Sequence, residues 1–264
     1  MKLAANLSLL YPGLPLAQRM AAAARDGFAG AEILFPYDLA PAELAAMLRD
    51  HGLELVLVNT PPGAAGEKGL ACLPGREADF GAALQRALQV CDATGCRMIH
   101  TMAGVPPAGT VPSASRATLI GNLRSAARPA QQAGVTLTLE ALNRADVPGY
   151  FYHRPDQAAD IINTVGHDTI GLQFDLYHTQ RENLDLHAAL QSVLPLVRHV
   201  QFACADGRHE PDPADPAVAG ALRTLANHGY AGWVGCEYIP RGDTSTGLAW
   251  RQAYQAVLDN RGTP

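Results

Sequence analysis

A run of apolar residues short enough for a strand, then a segment of helical period, then the same again: this alternation continues through the whole chain and constrains its fold more than any other feature. Strands are predicted over Leu3–Leu9, Gly30–Phe35, Leu53–Asn59 and Arg97–Met102, then within Thr136–Asn143 and over Gly171–Asp175, His199–Phe202 and Trp233–Glu237. Helices are predicted over Leu16–Arg25, Pro41–Asp50, Arg76–Ala93 and Ser113–Gln132, the last with a kink or break at Pro129. The later helices are Pro155–Val165, Asp185–Leu194, Ala217–His228 and Gly247–Asn260. Glycine follows helix after helix, as the left-handed position past a helix end favours. Eight strand–helix units with no linker and no shift in composition predict a single (β/α)8 TIM barrel over residues 1–264. A doubly wound α/β sheet is the alternative.

Thr136-Leu137-Thr138-Leu139-Glu140 alternates polar and apolar with the two-residue period of a strand. Leu137 and Leu139 share one face, while Thr136, Thr138 and Glu140 share the other. Asp175, Gln201 and Glu237 close or nearly close three later strands in the same way. In a barrel, side chains from the carboxyl ends of several strands converge at one mouth. Glu140, Asp175, Gln201 and Glu237 are therefore expected to point into one metal-binding pocket. Two carboxylates ~4 Å apart repel by ~4 kcal/mol at an effective dielectric near ~20, so a bound cation or raised pKa values must offset the crowding. Oxygen donors suit Mg2+ or Mn2+ better than zinc. An ion held this way can take a carbonyl and its neighbouring hydroxyl, and Glu140 and Glu237 can then move a proton between adjacent carbons. The reaction class expected is aldose–ketose-type isomerisation.

Further residues fall where a substrate would touch them. His178 lies three past Asp175 and is expected to hydrogen-bond a substrate oxygen. Arg208, in the loop after the Gln201 strand, suits a carboxylate, and Lys68 is a second candidate for the same anion. Asn59 and His100 stand at or near the ends of their strands and are expected to line the pocket.

The net charge of −5 argues against a surface built to grip nucleic acid, and no stretch approaches the ~20 apolar residues of a membrane span. Asn6 and Ser8 interrupt the opening apolar run, which reads as a first strand rather than a signal peptide. Five cysteines without CxxC spacing fit a reducing compartment, so a cytoplasmic location is expected. A homo-oligomer is compatible with all of this.

The chain resembles the hydroxypyruvate isomerase family, which includes 2-oxo-tetronate isomerases, within the xylose-isomerase-like barrels. The resemblance rests on an ordered set: Ala4-Ala5-Asn6-Leu7-Ser8, Glu32-Ile33-Leu34-Phe35-Pro36-Tyr37, Leu73-Pro74-Gly75-Arg76-Glu77, Pro148-Gly149-Tyr150-Phe151 and Gln173-Phe174-Asp175-Leu176-Tyr177-His178. It continues through His199-Val200-Gln201, Gly207-Arg208-His209-Glu210-Pro211 and Gly232-Trp233-Val234-Gly235-Cys236-Glu237-Tyr238. It implies that Glu140 and Glu237 match the family's proton-transfer pair and that a small hydroxy-oxo acid, hydroxypyruvate or 2-oxo-tetronate, is the substrate. The nearest alternative is a ketose 3-epimerase on the same barrel, whose neutral sugars do not need Arg208. More distant alternatives are a metal-dependent endonuclease-like barrel and a non-catalytic binding barrel.

Overall fold

The structure is a computed structural model and describes residues 1–259. The first half of the chain runs β1 (Lys2–Asn6), α1 (Leu16–Arg25), β2 (Gly30–Glu32), α2 (Pro41–Asp50), β3 (Glu54–Asn59), α3 (Glu77–Thr94), β4 (Met98–His100) and α4 (Pro112–Gln132). The second half runs β5 (Thr136–Glu140), α5 (Pro155–Val165), β6 (Ile170–Asp175), α6 (Leu176–Arg181), α7 (Leu186–Val193), β7 (Val197–Phe202), α8 (Pro216–Asn227), β8 (Trp233–Cys236) and α9 (Arg251–Leu258). Among the described residues the strands pair in parallel and in sequence order, and β8 returns to β1 to close the barrel. This is the single TIM barrel expected from the alternation.

The two faces of each strand do different work. Leu137, Leu139, Leu172, Phe174, Val200, Phe202 and Val234 are buried on the outer face, in one apolar layer with the helices. The inner face begins apolar at the amino end, where Ala4, Val56 and Leu57 pack with Met98 and Trp233. Higher in the barrel it turns polar. Glu32 on β2 bonds His199 on β7, two strands that are not neighbours in the sheet, so the contact crosses the interior.

Several boundaries differ from the sequence expectation, each for a local reason. The first strand stops at Asn6 rather than Leu9, because the Asn6 carbonyl accepts the Leu9 and Leu10 amides and its side chain accepts that of Ser8. The second stops at Glu32 rather than Phe35, where the Leu34 amide turns to the Ser8 hydroxyl. Pro129 does not break α4. It lies in the last turn, where the helix loses one amide donor and still closes with the Ala133 amide on the Pro129 carbonyl. The last predicted helix opens as a 3-10 turn over Thr246–Trp250 before α9, and its predicted end at Asn260 lies outside the described residues. The short helix α6 was not foreseen. Among the described residues no helix is long and apolar enough to cross a membrane.

One glycine is fixed by the inner face rather than by a turn. A Cβ at Gly235 would run into Glu32 Oε1 and into the carboxyl carbon behind it. Since Glu32 is fully buried and bonded on both oxygens, it has no ready place to go. Gly235→Ala is expected to lower the unfolding free energy by about 1–3 kcal/mol, as overpacking does, read from urea denaturation. An unchanged midpoint would mean that the Glu32 carboxylate moves aside freely.

Candidate active site

Three carboxylates stand at the carboxyl ends of the strands. Glu140 is the last residue of β5, Asp175 the last of β6, and Glu237 directly follows β8. All are buried, at 4%, 4% and 6% exposure. Asp175 also starts α6: its Oδ1 accepts the amides of Tyr177 at 2.6 Å and His178 at 3.2 Å. That bond turns Oδ2 toward His178, whose Nε2 stands 3.8 Å from Asp175 Oδ2 and 3.8 Å from Glu140 Oε1.

Arg208 supplies the opposing charge. Its own φ of 55° and that of Gly207, 70°, place two consecutive residues in the left-handed region, a costly conformation for arginine that turns the chain sharply here. The guanidinium donates to Glu237 Oε2 at 2.7 Å and lies 4.9 Å from the centre of the Tyr177 ring. Tyr177 in turn donates its hydroxyl to Asp146. The arginine thus stands beside the carboxylates with its cation over an aromatic ring.

Crowding and burial move the acids. Burial pushes Glu140 well above the usual carboxylate range, and the charges of Glu237 and Asp175 push it further. Burial raises Asp175 to about 6, against the pull of Arg208 and the two amides. Burial likewise raises Glu237 to about 7, with Arg208 opposing and Asp175 assisting. Burial works against the charge on Arg208, but Glu237, Asp175 and Glu140 outweigh it and hold the arginine protonated. Burial keeps His100 neutral, lowered to about 3, and its Nδ1 lies 3.2 Å from Glu140 Oε2. Burial holds His178 well below its ordinary value, and the nearby Arg208 charge lowers it further.

The tautomer of His178 follows from its neighbours. Asn143 Oδ1 accepts the amides of Ala145 and Asp146, so its Nδ2 is the side that faces His178. The Asn143 backbone amide donates to the same ring nitrogen, Nδ1, at 3.2 Å. Nδ1 is therefore an acceptor, and the neutral ring carries its proton on Nε2, aimed at Glu140 and Asp175.

These facts decide how well a divalent ion fits. Ligand atoms of Glu140, Asp175 and His178 lie within 4.8 Å of one another, which makes them a possible metal-binding triad. Glu140 Oε1 is buried without a hydrogen-bond partner, and Asp175 Oδ2 is turned to the same space. Two carboxylate oxygens of that kind fit a hard ion. The imidazole fits less well, since a ligating histidine donates from its second nitrogen, and here that nitrogen accepts. Of the other two expected ligands, Glu237 is engaged by Arg208, and the Gln201 amide accepts from Gln173 and donates to Glu32.

The remaining expected residues divide. Asn59 ends β3, is buried, and leaves Oδ1 without a partner; His100 ends β4 beside Glu140. Lys68 is exposed on the β3–α3 loop and makes no hydrogen bond or ion pair among the described residues. The sequence reading missed the layer beneath the mouth: Glu32, Gln173, His199 and Asn6, all buried and bonded to one another or to Gln201. Strand parity was the signal that would have found them, because Gln173 and His199 lie two residues before Asp175 and Gln201.

The family model for xylose isomerase-like TIM barrels matches residues 20–257. The chain belongs to that family. It is 44% identical over 255 residues to a 2-oxo-tetronate isomerase of Cupriavidus necator, covering 96% of this chain and 98% of the relative. It is 36% identical to the hydroxypyruvate isomerase of Escherichia coli over 97% of this chain and all of the relative's 100%. A solved structure described as an AP endonuclease of family 2 from Brucella melitensis superposes with a TM-score of 0.90 at 40% identity, over 96% of this chain and 98% of that one. A D-psicose 3-epimerase from Clostridium cellulolyticum, at 20% identity and a TM-score of 0.75, shares the fold.

The raised carboxyls carry a sign for stability. A native pKa above the unfolded value means that the folded chain holds protons the unfolded chain has released, so their contribution is complete at low pH and is lost as pH rises through the native value. For Asp175 and Glu237 that window runs from the unfolded values near pH 4 up to about 6 and about 7. In chelator, wild type is expected to lose stability relative to Glu237→Gln as pH rises across it, measured by thermal unfolding. Parallel curves would show that Glu237 titrates alike in both states.

Proposed function

We propose that the chain is an isomerase that moves the carbonyl of a small hydroxy-oxo acid to the neighbouring carbon, ketone to aldehyde in hydroxypyruvate or ketone to ketone in 2-oxo-tetronate, by proton transfer through an enediolate. The observation that carries this reading is a pair of buried carboxyls at the barrel mouth, Glu140 and Glu237, both raised above the usual carboxylate range by burial and both within the field of one arginine. Glu237, raised to about 7, titrates near a neutral working pH, where a group exchanges protons most effectively. The names of the relatives from Cupriavidus necator and Escherichia coli support the same substrate class.

Arg208 takes the substrate carboxylate through its planar fork. Its present partner, Glu237, is released by that exchange and becomes free to act on carbon. His178 donates a hydrogen bond from its Nε2–H to a substrate oxygen, in the orientation that Asn143 imposes. One glutamate of the pair removes the proton from the hydroxyl-bearing carbon, giving the enediolate. The other returns a proton to the former carbonyl carbon, while the hydroxyl proton passes to the neighbouring oxygen. Asn59 Oδ1 and the His100 ring nitrogens, buried without hydrogen-bond partners, are available to the substrate's other oxygens. Mg2+ or Mn2+, held by Glu140 and Asp175, would add Lewis-acid polarisation of the carbonyl. Gln201 and Glu237 join that set only by giving up a present partner.

The epimerase alternative has Arg208 against it, because a neutral ketose offers nothing to repay the guanidinium for leaving Glu237. The nuclease alternative has the net charge of −5 against it.

A panel of three- and four-carbon hydroxy-oxo acids and free ketoses, each with and without chelator, tests the reading. Turnover of the acids with little on ketoses is expected; the reverse preference would transfer the chain to the epimerases. Glu140→Gln and Glu237→Gln are each expected to cut kcat by about 10²–10⁴-fold with the fold intact, and wild-type-like turnover in either removes that residue from the chemistry. Arg208→Ala is expected to raise KM for the acids by about tenfold or more, the scale of a charge-assisted hydrogen bond.

A further inference from the structure

Beneath the mouth lies a chain of hydrogen bonds that the reaction as described does not use. It begins at Glu32, the end of β2, which is fully buried. Glu32 Oε1 faces His199 Nε2 at 2.5 Å, and Oε2 accepts from Asn6 Nδ2 at 3.0 Å and from Gln201 Nε2 at 2.8 Å. Gln201 Oε1 then accepts from Gln173 Nε2 at 2.6 Å. The same nitrogen of Gln173 donates its second hydrogen to Glu140 Oε2 at 2.9 Å, and Gln173 Oε1 accepts from the Thr138 hydroxyl at 3.1 Å. Two amides therefore join two carboxylates across the barrel.

A side-chain amide can be turned end for end, but this chain runs only one way. A carboxylate accepts, so Glu32 demands the nitrogen end of Gln201. That sends the Gln201 oxygen to Gln173, which must answer with nitrogen, and the nitrogen of Gln173 is the atom that reaches Glu140. Asn6 gives no freedom at the far end, because its Oδ1 is already held by the Ser8 amide. Reversing Gln201 would set oxygen against Glu32 and nitrogen against the nitrogen of Gln173, and reversing Gln173 would set its oxygen against both Gln201 Oε1 and Glu140 Oε2.

We propose that Glu32 is a positioning residue for Glu140: it fixes the direction of both amides, so that Gln173 holds Glu140 Oε2 with an N–H and leaves Oε1 facing His178 as the oxygen that meets the substrate. The inference rests on the reading of Glu140 as a proton carrier. Glu32 itself touches no reacting atom, and its effect passes through Gln201 and Gln173.

The test is Glu32→Gln, together with the exchanged pair Glu32→Gln/Gln201→Glu. The single variant keeps the shape but replaces one of the two acceptor atoms by a donor, removes the charge that Gln201 answers, and leaves the direction of the amides to the tautomer of His199. The exchanged pair keeps composition and charge and puts the acceptor-only group one link higher, where it again demands the nitrogen of Gln173. Glu32→Gln is expected to lower kcat by about ten- to hundredfold while KM stays within about twofold, the scale of losing one charge-assisted hydrogen bond to a catalytic carboxyl. The exchanged pair is expected to recover most of that loss. An unchanged kcat in folded Glu32→Gln, or an exchanged pair no better than the single variant, overturns the proposal, since a merely structural role for Glu32 would not be rescued by moving the charge. If Glu32→Gln does not fold, Gln173→Leu must show the same drop in kcat at constant KM, and a wild-type kcat there overturns it equally. Side-chain amide NMR of Gln173 and Gln201 gives an arm independent of turnover. Slow-exchanging, displaced Gln173 amide protons in wild type and the exchanged pair, lost in Glu32→Gln, support the proposal. Identical spectra in all three overturn it. Should wild type turn over no acid on the panel, the functional reading falls while this arm still decides the hydrogen-bond direction.

Discussion

Keeping several acids out of water in one narrow space is the constraint on which the upper half of this barrel depends. Glu32, Glu140, Asp175 and Glu237 are all buried, and His100 and His178 are held neutral beside them. Arg208 is the permanent cation among them. At an effective dielectric near 20, each close pair of like charges costs about 4 kcal/mol, which is comparable with a sizeable share of a domain's whole stability. The structure spreads the load. Glu32 receives amide donors, Asp175 is held by the start of α6, Glu237 is paired, and Glu140 is left least satisfied of all.

The parallel barrel makes that distribution possible. Strand pairing in parallel register brings Glu140 opposite Gln173 and Asp175 opposite Gln201 on neighbouring strands, so that polar side chains of one parity form a ladder around the inner wall. The outer parity is free to be leucine, valine and phenylalanine, which bind the helices. Gly235 leaves the inner wall bare where Glu32 needs room. Stability is thus drawn from the outer layer, and the inner layer can be given over to groups that a well-packed core would exclude.

The same division explains what the sequence made legible. Glu140, Asp175 and Glu237 could be read because each breaks an apolar alternation at its end, and the barrel then fixed their convergence. Glu32 ends its strand too, but the strand is short and runs on into Ile33, Leu34 and Phe35, which look like a continuation. Its true end is set by the Ser8 hydroxyl, distant in sequence. Gln201 was read as a metal ligand because parity gives direction and not partners; which amide end faces which neighbour depends on Glu32 and Gln173, far along the chain. Arg208 was chosen for its charge and loop, whereas its placement over the carboxylates depends on a left-handed backbone that no local pattern announces. His178 was chosen as a donor, and the Asn143 amide, remote in sequence, supplies the reason.

The pairing of Arg208 with Glu237 also bears on specificity. On the proposed reading, Arg208 neutralises in the free enzyme a carboxylate that the proton transfer would need. A substrate bearing its own carboxylate would replace Glu237 on the guanidinium with little change in charge balance, and the released glutamate would then stand beside bound substrate. A neutral sugar offers no such exchange: on the same reading it would leave Arg208 on Glu237, and a base tied to a guanidinium is a weak one. Discrimination for acids would then act on the proton-transfer step as well as on binding, which a pocket that merely attracts anions does not achieve.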